Sequence, residues 1–194
     1  MKLSNQRIVS LPINSMHQDW INTIDKLPGE GLKGRFAPVN VLGVLMNSPQ
    51  NFGSFLEYWV SSKHEMKLIA REQELIILRV GYLYQCDYVW GHHVPPALES
   101  GLSRVEIEQI KQGLDLSKWS DRESVLLIAA DELVNLKNIS EDTWFKLLNH
   151  LDSHQAVDLV MLVTQYIFFA LVNNSFRVEL EDGIEDIMGN KITR

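Results

Sequence analysis

Residues 71–101 read REQELIILRVGYLYQCDYVWGHHVPPALESG, and this stretch decides the fold. Its first half carries Leu75, Leu78 and Tyr82 at helical spacing, which predicts a helix over residues 71–85. Further apolar residues widen that stripe on both sides. Because so broad an apolar surface cannot face water, we expect a central helix that is buried on several sides.

The second half of the stretch predicts another helix. Asp87 is a suitable cap at its start, and the helix is expected to run to about Ser100 with Gly101 as its stop. Pro95 and Pro96 fall inside this span. Each proline removes a backbone donor, so the helix is expected to kink there.

Helical spacing continues through the rest of the chain. It predicts helices over residues 39–46, 49–62, 103–113, 121–135, 140–149 and 153–173. Residues 1–38 are rich in proline and glycine and predict an irregular arm, with a short helix around residues 16–26. No alternating pattern predicts a strand. The prediction is therefore an all-α protein with an arm at 1–38 and one helical domain at 39–194.

Two helices open on the same dipeptide, Arg71-Glu72 and Arg122-Glu123. A duplicated half would explain this, but the second copy has nothing that corresponds to residues 86–93. The sequence therefore does not predict a repeat.

Composition restricts the possible partners. The 194 residues carry a formal net charge of −7, which disfavours nucleic acid or an anionic membrane as the main partner. The apolar segment from Leu159 to Val172 is too short for a bilayer and predicts a buried helix. Cys86 is the only cysteine, so no intrachain disulfide can form. With no secretory signal pattern at the start, these features predict a cytoplasmic protein.

The residues that can carry chemistry cluster at the junction of the two helices of the deciding stretch. Side chains from two packed helices can converge on a pocket for a small molecule. The candidates for chemistry are Glu74, Cys86 and His93, and those for substrate binding are Arg79, Tyr88, Trp90 and His92.

Cys86 lies at or just before the start of the second helix, where the helix dipole would favour a thiolate. His93 lies seven residues further on, on nearly the same face but about 10 Å along the axis. Direct contact between the two is not assured. A lone cysteine is also more often an inert buried residue than a nucleophile.

A metal site is a possible interpretation of the two adjacent histidines and the glutamate. Neighbouring helical positions point about 100° apart, however, so His92 and His93 cannot easily share one ion. The sequence therefore predicts neither a metal nor another cofactor.

The strings at residues 71–80 and 86–93, followed by Ala97 and Gly101-Leu102-Ser103, resemble the core motif of the carboxymuconolactone decarboxylase/AhpD-like family. The resemblance implies an AhpD-like orthogonal bundle of helices that assembles into homotrimers or homohexamers. In the peroxidases of this family the core holds a glutamate, a Cys-x-x-Cys pair and a histidine four residues after the second cysteine. These positions fall on Glu74, Cys86, Val89 and His93.

Val89 is the departure from that pattern. In a dithiol enzyme one thiolate attacks the substrate and the other resolves the intermediate, while a histidine and a glutamate relay the proton. With Val89 beside His93, the relay has no thiol to activate. Dithiol peroxidase activity is therefore not expected.

Three functions stay open. The decarboxylase branch of the family works without the cysteine pair, and there a histidine could protonate the carbon that loses CO₂ while a cation binds the carboxylates. His92, His93 and Arg79 are the candidates for those roles. A one-cysteine peroxidase resolved by an external thiol is the second possibility. A binding or scaffold protein that has lost its chemistry is the third.

Overall fold

The structure is a computed structural model that describes residues 5–26, 37–112 and 115–184. These residues form nine α-helices and no strand, which confirms the all-α prediction. The helices are α1 (Gln18–Ile24), α2 (Val39–Leu45), α3 (Pro49–Glu65), α4 (Ala70–Leu83), α5 (Asp87–Glu99), α6 (Arg104–Lys111), α7 (Asp121–Asn135), α8 (Glu141–Leu147) and α9 (Ser153–Phe176). Short 3-10 turns lie at Ile13–Ser15 and Leu116–Lys118.

Several helix boundaries differ from the prediction. Cys86, not Asp87, is the N-cap of α5, and Asp87 is its first helical residue. The last helix continues past its predicted end at Asn173 to Phe176, and the Asn173 side chain is buried. The predicted stop of α6 at Gly113 lies outside the described residues.

By their contacts, the described residues divide into two compact units, and residues 5–26, 37–66 and 172–184 form the first. In this unit the segment before α1 runs along α2, where the Leu11 N–H donates to the Gly43 carbonyl at 3.0 Å. A Cβ on Gly43 would lie 2.5 Å from the Leu11 carbonyl oxygen, so only glycine allows this approach. Trp20 of α1 packs edge-on against Phe52 of α3, with ring centroids 4.8 Å apart.

Residues 67–171 form the second unit, with α4 at its centre. This helix packs against α5, α6 and α7. Five of its apolar residues have no exposed surface, namely Leu75, Ile76, Ile77, Leu78 and Val80. The prediction of a central helix buried on several sides is confirmed. The driving force is the burial of apolar side chains, each of which stabilises the fold by roughly 1.5–3 kcal/mol.

Two ion pairs join α4 and α7. In each pair, an arginine of one helix binds the glutamate that follows the arginine of the other helix in the sequence. Arg71 Nε donates to Glu123 at 2.8 Å, and Arg122 Nε donates to Glu72 at 2.5 Å. Each glutamate also accepts a hydrogen bond from a backbone N–H just before its own helix, at Ile69 for Glu72 and at Ser120 for Glu123. The repeated Arg-Glu dipeptide therefore joins the starts of the two helices.

A third ion pair joins the same helices further along. Arg79 Nε and Nη2 donate to the two carboxylate oxygens of Asp131 at 2.6 and 2.7 Å. Its Nη1 donates to the carbonyl of Ile110, the penultimate residue of α6, at 2.6 Å. A bidentate pair of this kind fixes both distance and orientation.

Glu106 joins α6 to α4 through an ion pair with Arg71. The Ser103 hydroxyl accepts from the Glu106 N–H, and the Glu106 carboxylate accepts from the Ser103 N–H at 2.7 Å, which is a capping box. Arg71 also donates to this carboxylate. Burial alone would raise the pKa of Glu106, but the hydrogen bonds from Arg71 and Ser103 outweigh it and lower the pKa to about 2.

Helix α9 is the longest of the described helices and contains a long apolar stretch. By length and composition alone it could cross a membrane, and half of its most apolar stretch is buried. The core helix of a soluble protein can have the same length and composition. Its buried residues include Leu162 and Val163, whereas Val157, Phe168 and Leu171 are exposed. The homo-oligomer implied by the family resemblance stays a prediction.

Replacement of Glu106 by glutamine should reduce both stability and its dependence on pH. The folded pKa is depressed from 4.5 to about 2, so its contribution is present above pH 4.5 and is lost as the pH falls toward 2. For this partly exposed group we expect Glu106→Gln to cost about 1 kcal/mol at pH 7. Urea unfolding from pH 7 to 2.5 measures this, and the difference from wild type should shrink as the pH falls. A constant difference would contradict the assignment, and Glu57→Gln, which changes an exposed glutamate of α3, is the control.

Replacement of Arg79 by methionine should cost about 3 kcal/mol, because it leaves the Asp131 carboxylate and the Ile110 carbonyl without their donor. Urea denaturation at pH 7 measures the loss. The control is Lys146→Met, which removes an exposed pair with Asp142 and should cost less than about 0.5 kcal/mol. Equal losses in the two variants would show that the buried pair is unimportant for stability.

Candidate functional site

A tight turn between α4 and α5 sets the position of the candidate site. The Cys86 N–H donates to the Gly81 carbonyl and the Gln85 N–H to the Tyr82 carbonyl, both at 2.9 Å. This is the hydrogen-bond pattern with which many helices end on a left-handed residue. Gln85 occupies that conformation with a φ of 50°. A residue with a side chain pays roughly 1–2 kcal/mol there, so the packing around the turn must hold it.

Cys86 caps the start of α5. Its Sγ accepts a hydrogen bond from the Val89 N–H at 3.5 Å, and the residue has no exposed surface. The donor and the helix dipole both favour negative charge on the sulfur. Complete burial removes the water that would otherwise solvate that charge, and opposes it.

Val89 occupies the place where a dithiol enzyme would have its second cysteine. It is only 3% exposed, and it packs against Gly81 of α4. A Cβ on Gly81 would lie 3.0 Å from Val89 Cγ1. The absence of a side chain at Gly81 therefore lets α5 approach α4 closely, and the valine fills the space between them.

Glu74 and His93 form the main polar contact of the site. His93 Nδ1 lies 2.7 Å from Glu74 Oε2, and the two side chains are 16% and 12% exposed. A carboxylate accepts only, so we assign the proton of this contact to Nδ1. This assignment leaves Nε2 as the ring nitrogen that can exchange a proton with a ligand.

Tyr166 of α9 is the third member of this group. Its ring meets that of His93 at 88°, with centroids 4.9 Å apart, and the residue is 3% exposed. The imidazole is therefore held by a hydrogen bond from one side and by an aromatic ring from another. The sequence shows Tyr166 only as part of an apolar helix more than 70 residues from His93, and no local signal links the two.

His92 has different surroundings. Its ring packs on that of Tyr88, with centroids 4.4 Å apart, and both residues are buried. The adjacent histidines thus contact different groups, as the helical geometry predicts. In the part of the chain that the structure describes, no three His, Cys, Asp or Glu side chains are grouped to hold a metal ion.

Arg79 and Trp90 lie toward α6. The guanidinium of Arg79 is taken up by Asp131 and Ile110, so its charge is already balanced within the fold. Trp90 has no exposed surface, and the Lys111 ammonium lies 4.6 Å from its ring centroid. Asp131 and Lys111 are further contacts that the sequence does not single out.

The structure therefore brings some of the predicted residues together and separates others. Glu74 touches His93, whereas Cys86 is two helical turns from His93 along α5. The substrate-binding roles predicted for Arg79, Tyr88, Trp90 and His92 stay predictions. Among them, the ion pair of Arg79 argues against its availability to a substrate.

The fold is that of the AhpD-like class of helical proteins. The chain is similar to an uncharacterized peroxidase-related protein with an AhpD core from Ralstonia eutropha JMP134, with a TM-score of 0.78, 15% identity and coverage of 96% of this chain and 97% of the other. It is also similar to a peroxidase-related protein from Silicibacter sp. TM1040, with a TM-score of 0.78, 14% identity and coverage of 97% and 99%.

The debrominase Bmp8 in its apo form is similar too, with a TM-score of 0.75, 12% identity and coverage of 97% of this chain and 99% of the other. At these identities the likeness shows the fold alone. No curated protein matches the sequence.

Residues 49–132 match the model of the carboxymuconolactone decarboxylase family. The matched segment contains the helices from α3 to α6 and most of α7, including Glu74, Cys86 and His93. Together with the AhpD-like fold, this match over 49–132 supports assignment of the chain to the carboxymuconolactone decarboxylase/AhpD-like family.

Gly81→Ala should push α5 away from α4. The new methyl group would lie 3.0 Å from Val89 Cγ1, and overpacking of this kind costs roughly 1–3 kcal/mol. The better helix propensity of alanine offsets about 1 kcal/mol of that loss. We therefore expect a net loss of about 1 kcal/mol in urea unfolding.

A double-mutant cycle with Val89→Ala isolates the contact. Removal of the valine methyl groups makes room for the new Cβ, so the double variant should lose less stability than the sum of the single variants. Additive losses would show that Val89 does not limit the approach of the two helices.

Proposed function

We propose that this protein is a small-molecule enzyme that works by general acid–base catalysis at His93, with Glu74 as the residue that positions it. The expected reaction is decarboxylation of a lactone-like acid, as in the decarboxylase branch of the family. The observation that carries the proposal is the 2.7 Å contact between His93 and Glu74, with the apolar Val89 where a thiol would be needed for dithiol chemistry.

The proposed step needs one proton and one oriented imidazole. The Nδ1–H of His93 donates to Glu74, which fixes the ring and leaves a proton on Nε2 for the substrate. The bond between carbon and the carboxylate breaks, its electron pair stays on the carbon, and CO₂ leaves. That carbon takes the proton from Nε2, and water then supplies a proton to the imidazole.

Tyr166 supports this assignment by restricting the ring. A general acid must hold its proton within hydrogen-bond distance of the reacting atom, so loss of orientation costs rate even when the acid itself remains. The edge contact of Tyr166 and the hydrogen bond of Glu74 act on the same imidazole. Two restraints of different kinds on one histidine favour a chemical role over ordinary packing.

A second candidate is a single-thiol peroxidase. It is favoured by the hydrogen bond from the Val89 N–H to Cys86 Sγ at the start of α5. In that reaction the thiolate attacks the O–O bond of a peroxide, the sulfur becomes a sulfenic acid, and the leaving oxygen takes a proton to give an alcohol. An external thiol would then condense with the sulfenic acid to give a mixed disulfide and water, and a second external thiol would release the Cys86 thiol as the external disulfide forms. Burial of Cys86 and its distance from His93 favour the first candidate.

Variants of the three candidate residues separate these functions. With carboxymuconolactone as substrate, His93→Gln should lower kcat by about 10²–10⁴-fold, since it removes the general acid. Glu74→Gln should lower kcat by about 10–100-fold, because the amide can stabilise the wrong tautomer of His93. Cys86→Ala should stay within about twofold of wild type. Ultraviolet absorbance of the lactone measures the rate, and circular dichroism checks the fold.

The opposite pattern would identify the thiol enzyme. Consumption of cumene hydroperoxide with dithiothreitol as reductant, lost in Cys86→Ala and kept in His93→Gln, would replace the first candidate by the second. No turnover of either substrate by wild type would leave the binding or scaffold function.

A further inference from the structure

We propose that the indole N–H of Trp90 is the hydrogen-bond donor that receives a carboxylate oxygen of the substrate. The inference rests on the proposed function and adds to it the group that binds the acid. Arg79, the cation expected to do so, is already paired with Asp131. A different donor is therefore needed for a carboxylated substrate.

The indole N–H of Trp90 is buried and has no hydrogen-bond partner among the residues that the structure describes. An unpaired buried donor is costly, because it gives up its hydrogen bond to water and receives nothing in return. Buried tryptophans usually satisfy this group. The missing acceptor at Trp90 is what a substrate oxygen would supply.

Trp90 also occupies the right place on α5. It lies four residues after Cys86 and three before His93, and residues at these spacings are neighbours on one helix face. The donor and the proposed general acid therefore belong to the same face. A substrate that reaches both would have its carboxylate on the indole and its reacting carbon near the imidazole.

The charge around Trp90 favours an anion. The ammonium of Lys111 lies over the indole ring, 4.6 Å from its centroid, and its side chain is only 14% exposed. A cation on the ring face makes the N–H a stronger donor and attracts a negative acceptor. Glu108 balances part of this charge from a more exposed position, with 3.1 Å between the charged atoms.

Glu74 is the opposing charge on this face of the site. Its carboxylate would repel an anionic substrate if it were unpaired, but it is in direct contact with His93. In the form that acts as an acid, His93 is protonated and the pair is neutral overall. Of the Lys111–Glu108 pair, the ammonium lies over the indole ring, and this favours a carboxylate at Trp90.

Nuclear magnetic resonance of the indole protons tests the inference. The chain has five tryptophans, so ¹⁵N-tryptophan labelling gives five indole signals, and Trp90→Phe identifies the signal of interest. We use His93→Gln as the background, because it should bind carboxymuconolactone without turning it over. On titration with this lactone, the Trp90 indole proton should move downfield. A neutral lactone without carboxylates should leave it in place.

Affinity provides the second measurement. Trp90→Phe should weaken carboxymuconolactone binding by about tenfold, which corresponds to the loss of one hydrogen bond to a charged group. Trp119→Phe, which changes another buried indole of the same unit, is the matched control and should bind as the background does. If Trp90→Phe fails to fold, phenylalanine replacements of the other four tryptophans assign the Trp90 signal by elimination, and the titration in the His93→Gln background still tests the inference.

The outcomes separate this inference from the proposed function. Binding without a shift of the Trp90 signal, an equal shift with the neutral lactone, or no binding at all would overturn the role of Trp90. A shift on binding without turnover by wild type would support the role of Trp90 and reject the decarboxylase.

Discussion

The crossed pairing of two Arg-Glu dipeptides between α4 and α7 is the constraint on which the second unit depends. Arg71 pairs with Glu123 and Arg122 pairs with Glu72, so two ion pairs join the starts of the helices. Each glutamate also accepts a hydrogen bond from the backbone N–H just before its own helix. Arg79 and Asp131 repeat the connection two turns further along. Because all three pairs join the same two helices, they set the register of α4 and with it the depth of Glu74.

From that register the candidate site follows in steps. The end of α4 leads through the left-handed Gln85 into α5, and Gly81 allows Val89 to lie directly on α4. The resulting closeness of α4 and α5 brings His93 within 2.7 Å of Glu74. Val89 fills the space that Gly81 leaves open, and the family resemblance assigns its position to the second cysteine of a dithiol enzyme.

Arg79 shows how the structure changes the interpretation of a motif. An arginine near a glutamate and a histidine predicts a binding site for a carboxylate, and its type and spacing agree with that role. Its guanidinium instead forms an ion pair with Asp131 and donates a hydrogen bond to the Ile110 carbonyl near the end of α6. Another cation is Lys111, which lies above Trp90, pairs with Glu108 and is not singled out by the sequence.

Much of the fold could be predicted because it depends on local regularity. The spacing of apolar residues is a local signal, and so is a capping box, whose two residues are three positions apart. The helices that follow Ser103 and Ser120 begin at such boxes. The N-cap residue of α5 was predicted wrongly by one position, since Cys86 rather than Asp87 caps this helix. A sulfur can take the place of an oxygen acceptor there only because the turn at Gln85 aims it at the Val89 N–H.

The sequence by itself determined the all-α class, the single thiol and the valine that excludes a dithiol. It also determined that His92 and His93 face different ways, because helical geometry fixes the angle between neighbours. Only the tertiary structure decided the partners: Tyr166 beside His93, Asp131 on Arg79, and each Arg-Glu pair across 50 or more residues. Local spacing fixes which side of a helix a residue occupies, but the packing of whole helices decides what lies opposite.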